Sequence, residues 1–170
     1  MRILAELNPL EPITAVPVLT FHLGDSLVVV SNHAAMVVVA TLILLVGLPL
    51  AARSPQRVPK GLQNLVESVC VFLREQMARP LLGDRTDIYI GFLWTAFFFI
   101  LTLNLVAMVP IEKFVGLITG RRSHFGGPAT ANIWITGALA VVSFVMTHAY
   151  GIRRHGLAGY FAHLAPPAPM

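Results

Sequence analysis

The sequence predicts an all-α membrane protein, with three transmembrane helices plus an amphipathic helix at the cytoplasmic interface. Composition comes first: 56% of the 170 residues are hydrophobic and 12% charged, whereas soluble domains carry about a quarter charged residues. Second, three long apolar runs at 27–52, 88–111 and 131–152 contain no Asp, Glu, Lys or Arg. Each is longer than the ~20 residues that a helix rising ~1.5 Å per residue needs to cross a ~30 Å hydrocarbon layer. In lipid the backbone must satisfy its own hydrogen bonds, and runs of this length do so as helices. Third, the segment after the first run has apolar residues at helical spacing among charged ones.

Residues 1–26 read as an irregular outer arm, interrupted by Pro9, Pro12 and Pro17. The first span, 27–52, is too long for a signal peptide, and Asp25 precedes it where a signal would be basic. Pro49 is expected to kink or end it. In the segment 53–87, Leu62, Leu65, Val66, Val69, Leu73 and Met77 recur at helical spacing. Lys60, Gln63, Asn64, Glu67, Arg74 and Glu75 fill the other side. Such a helix is too charged to span, so it is expected to lie in the interface, with Pro80 stopping it. The second span is 88–111, an outer loop rich in glycine and charge is 112–130, and the third span is 131–152. The tail 153–170 carries Arg153 and Arg154 as an inner anchor, then a short segment at 157–164 that begins a second interfacial helix.

Orientation follows from basic residues. Arg53, Arg57, Lys60, Arg74, Arg79 and Arg85 lie between the first two spans, and Arg153 and Arg154 follow the third. Those eight oppose four on the other side, Arg2, Lys113, Arg121 and Arg122. The expectation is an N-terminus outside and a C-terminus in the cytoplasm. The net charge of +4 is accounted for by topology and calls for no nucleic acid. Cys70 is the sole cysteine, so no internal disulfide is possible. No zinc spacing, P-loop or dinucleotide-binding glycine pattern occurs, and no cofactor is expected.

The informative residues are polar ones inside apolar runs. Asn132, Thr136, Ser143 and Thr147 fall on one face of the third span, with Ala140 between them. Such a stripe serves close helix packing first; the functional reading is that its outer part, Asn132 above all, lines a wet path. Asn104, in the second span, has the same two readings: interhelical glue, or a residue facing water. His33 and His148 suggest a bis-histidine haem, but parallel spans would set them more than ~20 Å apart. A small haem-binding electron-transfer subunit is therefore a distant reading.

Four segments in order, "VPKGLQNLVESVCVFLREQMARPLLG", "FLWTAFFFILTLNLVAMVP", "PATANIWIT" and "GIRRHGLAGYF", resemble the a subunit of the membrane sector of F-type ATP synthase. The N-terminal "NPLEP" and "SNH" fit the outer arm and first span of that subunit. The resemblance implies a proton-channel subunit that stands beside a ring of c subunits, with b subunits as further partners, in a bacterial inner membrane. It implies no catalysis by the chain itself and no small-molecule substrate apart from protons. It also implies that Asn104, Thr130 and Asn132 contribute to the outer half-channel, where Asn104 meets water and polar helices instead of lipid; Thr136, on the outer part of the stripe, is expected to line it with them. Ala107 and Trp134 stand where many relatives have an acid and a second asparagine. The family's indispensable arginine lies on a helix further on than Met170, so the chain is expected to be a fragment resembling the N-terminal half. The alternative is a non-transporting assembly or scaffold protein that keeps the a-subunit N-terminal bundle.

Overall fold

A computed structural model describes residues 15–52, 60–120 and 127–164. Most of the outer arm, the basic residues Arg53, Arg57, Arg121 and Arg122, and the last residues of the tail lie outside the described residues. Two compact units divide between Asn132 and Ile133.

The first unit opens on a feature that differs from the expected irregular arm. Strand β1 (Pro17–Leu23) pairs antiparallel with β2 (Ser26–Ser31), from Leu23 opposite Ser26 to Pro17 opposite Ser31. The two-residue loop has Gly24 first, at φ 64°, while Asp25 keeps an ordinary φ. That is the pattern of a type II′ turn, whose twist matches a hairpin. Residues 27–31, read as the start of the first span, are therefore strand. Val28, Val29 and Val30 are β-branched and suit the pleated backbone.

Helix α1 (Asn32–Ala52) begins directly after β2. Ser31 caps it, its Oγ accepting from the Ala34 N–H at 3.3 Å. The Asn32 side chain ties the hairpin to the helix: its Oδ1 accepts from the Val16 N–H at 3.1 Å, and its backbone N–H donates to the Val16 carbonyl at 2.9 Å. Pro49 sits in the last turn, and the helix ends at Ala52. One narrow stripe, Asn32, His33, Met36 and Ala40, is buried. Leu42, Leu45, Val46 and Leu50 are exposed, as a face meeting lipid must be.

Helix α2 (Leu62–Val71) continues into a π-helical segment, Phe72–Ala78, then α3 (Arg79–Leu82) and a 3₁₀ turn, Gly83–Arg85. Pro80 does not stop the chain here. It lacks the N–H that an α register would give to the Gln76 carbonyl, and its ring would crowd that carbonyl. The π segment just before it relieves the conflict by widening the turn. The wider turn also changes which side chains face inward. An α register would place Met77 below Leu73; instead Ala78 is buried, and Met77 is 52% exposed. Gly83, at φ 57°, makes the bend that Pro80 was expected to make.

Helix α4 (Thr86–Met108) is 23 residues long, enough to cross the hydrocarbon layer. The Thr86 hydroxyl is buried and donates to the Gly83 carbonyl at 2.7 Å. Two contacts fold the amphipathic segment against the start of α4. The Trp94 indole N–H donates to the Cys70 carbonyl at 3.1 Å, and Arg74 pairs with Asp87 at 2.5 Å. Both charges are more than a third exposed, so that pair orients more than it stabilises. Within the expected outer loop lies a further helix, α5 (Ile111–Thr119), ended by Gly120 in the left-handed conformation.

The second unit is α6 (Ile133–Leu164), broken at Gly156, where φ 68° and ψ 167° are not helical. The break lets 157–164 turn back so that the Tyr160 ring covers Gly151; a Cβ built there would stand 2.3 Å from Tyr160 Cε2. His148 stacks on Phe144 at 3.7 Å and meets the Tyr160 ring edge at 5.7 Å. The backbone at Gly156 is a region open essentially to glycine alone, so Gly156→Ala is expected to cost about 1–3 kcal/mol at this elbow. The readout is the ring-current shift of the Gly151 α protons in an NMR spectrum. It should vanish in the variant, and an unchanged shift would contradict the packing described.

Among the described residues, three helices, Asn32–Ala52, Leu62–Met108 and Ile133–Ala162, are long and apolar enough to cross a membrane.

Candidate functional site

At one end of the first unit, the chain returns from α5 and makes a single 3₁₀ turn, Ala129–Ala131, before α6. Pro128 sets the extended entry, and its carbonyl accepts from the Ala131 N–H at 3.0 Å. The Asn132 N–H then donates to the Ala129 carbonyl at 3.2 Å. Ala129 is 1% exposed, and the turn packs against both α1 and α4. A methyl group is small enough to let a backbone turn approach two helices at once.

This wedge presents two polar side chains in different directions. Thr130 Oγ1 donates to Asn104 Oδ1 on α4 at 2.9 Å. Asn132 Nδ2 lies 3.4 Å from His33 Nδ1 on α1. His33 is fully buried and Asn32 beside it nearly so, at 0% and 8% exposure. Gly127, at φ 97°, lies close to the Asn32 amide, where a Cβ would stand 3.8 Å from Nδ2. Two polar contacts, Asn104 with Thr130 and Asn132 with His33 beside Asn32, thus bring five polar side chains from three elements to this end of the unit, with Asn104 exposed and His33 buried. Such groups can hold and pass water or protons; isolated in lipid, each would be costly.

Of the four residues read from the sequence, the structure brings Asn104, Thr130 and Asn132 to this end of the first unit. Thr136 belongs to the second unit, where its hydroxyl donates to the Ile133 carbonyl of its own helix at 3.3 Å. Thr147 does the same toward the Ser143 carbonyl at 2.8 Å. Sequence reasoning missed His33 and Asn32 as site members. Their signal was present: Ser31, Asn32 and His33 are three polar residues in succession within the first apolar run. Among the described residues, no group of three or more His, Cys, Asp or Glu could hold a metal ion.

Comparison with known proteins gives a consistent result. The family model described as ATP synthase A chain matches residues 34–170. A protein from Anaeromyxobacter sp. (strain Fw109-5), named ATP synthase subunit a, is 36% identical over 140 residues, covering 82% of this chain and 31% of the relative. One of the same name from Anaeromyxobacter dehalogenans (strain 2CP-C) is 36% identical over 140 residues, covering 82% and 33%. Another from Chloroherpeton thalassium (strain ATCC 35110 / GB-78) is 33% identical over 159 residues, covering 91% and 44%. The chain therefore spans between about a third and less than half of the length of these relatives. No solved structure matches.

Proposed function

The chain belongs to the ATP synthase A chain family, and from that premise we propose that it forms part of the proton-conducting subunit of an F-type ATP synthase. In this reading Asn104, Thr130, Asn132 and Thr136 contribute to the half-channel that admits protons from the outer side. The c-ring receives those protons, and the b subunits hold the stator in place. The chain performs no bond chemistry; it supplies a polar route through a membrane.

The observation that supports this best is the pair of contacts made by one turn, Thr130 to Asn104 at 2.9 Å and Asn132 to His33 at 3.4 Å. Thr130 and Asn132 leave one short stretch of chain toward two different helices, and each meets a polar side chain there. A proton route needs a continuous series of groups that can each accept and donate. Amides, hydroxyls and an imidazole all do both.

The direction of the route depends on orientation, with the N-terminus outside and the C-terminus in the cytoplasm. The basis is the excess of basic residues in the segment between α1 and α4. Cysteine labelling tests it on a Cys70→Ser background. That background silences a thiol whose pKa is raised by burial and by the neighbouring Glu67 carboxylate. A membrane-impermeant maleimide should mark Ser123→Cys from outside, and Gln56→Cys and His155→Cys from the cytoplasmic side alone. Marking of Ser123→Cys from the cytoplasm would invert the assignment and move Asn104 to the other half-channel.

A further inference from the structure

Among the described residues, His33 is the one fully buried side chain that can take up a proton in the neutral pH range. It stands in the first turn of α1, on the stripe that continues through Met36 and Ala40. Ionisable residues inside membrane spans are rare, and they mark ion paths and proton relays more often than packing. A position that only packs can be filled by a small or apolar side chain, as at Ala40 about two turns further along the same stripe.

The contact with Asn132 gives the position its chemistry. As drawn, the amide N–H of Asn132 donates to Nδ1 of His33 at 3.4 Å. With Nδ1 as the acceptor in this contact, the ring proton is carried on Nε2. Half a turn about the Cβ–Cγ bond of Asn132 would put Oδ1 in place of Nδ2. The amide would then accept from a protonated Nδ1, so it can serve both charge states of the ring without moving its backbone.

We propose that His33 is a proton-exchanging residue of the outer half-channel, with Asn132 as the amide that follows its protonation. This rests on the half-channel reading above. A proton arriving from water binds the Nδ1 lone pair and gives the imidazolium, as the Asn132 amide turns over. Loss of the Nε2 proton to the next acceptor restores the neutral ring in its other tautomer. Only N–H and O–H bonds are made and broken.

The elements packed around His33 carry the following polar and charged groups. The 3₁₀ turn packed on α1 brings Thr130 and Asn132, and α4 brings Asn104 at this end. The one charged residue of α4, Asp87, is at its other end, paired with Arg74. In the hairpin, His22 lies opposite Leu27, beside the turn that holds Asp25 and away from Asn32. On α2, Glu67 accompanies Cys70, whose carbonyl meets Trp94 nearer the start of α4. The closest charged positions after α4 in sequence are Glu112 and Lys113 of α5.

The test uses membrane vesicles holding the assembled ATP synthase, with this chain inside its full-length subunit. ATP-driven proton pumping is measured against outer-side pH for the native protein, Asn104→Leu and His33→Gln. Glutamine keeps an amide that can hydrogen-bond Asn132 but exchanges no proton. His33→Gln is expected to lower pumping by about tenfold, short of the ~100-fold loss typical of a missing acid–base group because water can carry part of the flux. Its dependence on outer-side pH should also differ from that of the native protein. If Asn104→Leu fails while His33→Gln pumps with the native profile, the proposal is overturned and the half-channel reading stands. If both variants pump normally, both fall. Should His33→Gln not assemble, diethyl pyrocarbonate on the native complex decides, with His33 followed by peptide mass spectrometry. Modification of His33 in step with lost pumping, slower in acidic outer solution, supports the proposal. Lost pumping with His33 unmodified, or modified His33 with full pumping, overturns it.

Discussion

Asn104→Leu is expected to leave the complex assembled in near-normal amount while ATP-driven proton pumping falls several-fold, and Asn104→Asp to keep much of the activity. The reasoning is the match between residue type and task. Asn104 Oδ1 accepts from Thr130 Oγ1 at 2.9 Å, and a carboxylate can accept that same bond while also holding water. Leucine can do neither. Were Asn104 only glue, its hydrogen bond would contribute about 0.6 kcal/mol, seldom above ~1.7. Leucine would then cost little in either assay, while an unpartnered aspartate would impair insertion by about 2.5–3.5 kcal/mol. The two roles rank leucine and aspartate in opposite orders. Pumping and subunit content of the same vesicles read both, and an active leucine variant beside a poorly assembled aspartate variant would show glue.

The second large effect concerns the wedge. Ala129 is 1% exposed and holds the 3₁₀ turn against α1 and α4. Ala129→Leu adds three carbons where no space exists, and overpacking of this kind costs about 1–3 kcal/mol. The turn must lift, and lifting it stretches the Thr130–Asn104 and Asn132–His33 contacts together. The variant is expected to unfold at lower temperature in detergent and to pump poorly even when assembled. Ala129→Gly should be far milder, since it removes one methyl group and leaves the approach open. Native-like melting of Ala129→Leu would mean that the turn is not wedged as described.

Much of the architecture was legible because hydrophobic thickness imposes itself on composition. Three charge-free runs of sufficient length permit little besides three helices. Two polar intrusions were equally legible: Asn104 and Asn132 stand out because each is unusual where it occurs, whereas Thr130, in the expected outer loop, was reached through the resemblance alone. The parts that were not legible share one cause, which is that hydropathy reports burial and not backbone geometry. The valines at 28–30 are as apolar as those of α1, so the strand merged with the span that follows it. Proline at 80 reads as a stop because the usual remedy is to end the helix; here a π turn absorbs it and moves burial from Met77 to Ala78. His33 went unassigned because a lone histidine on an apolar face has no local partner. Its partner is Asn132, ninety-nine positions away, and only the folded chain brings them together.

The central claim is that the group around Asn104, Thr130 and Asn132 is open to water from the outer side. Its most direct test places a thiol at position 104, as Asn104→Cys on the Cys70→Ser background, in the assembled complex. A small membrane-impermeant thiol reagent is then applied to one face of sealed vesicles at a time, and proton pumping is followed. Reagent on the outer face should block pumping rapidly while the same reagent on the cytoplasmic face has little effect. A thiol that reacts from neither face, or from the cytoplasmic face alone, would contradict the account.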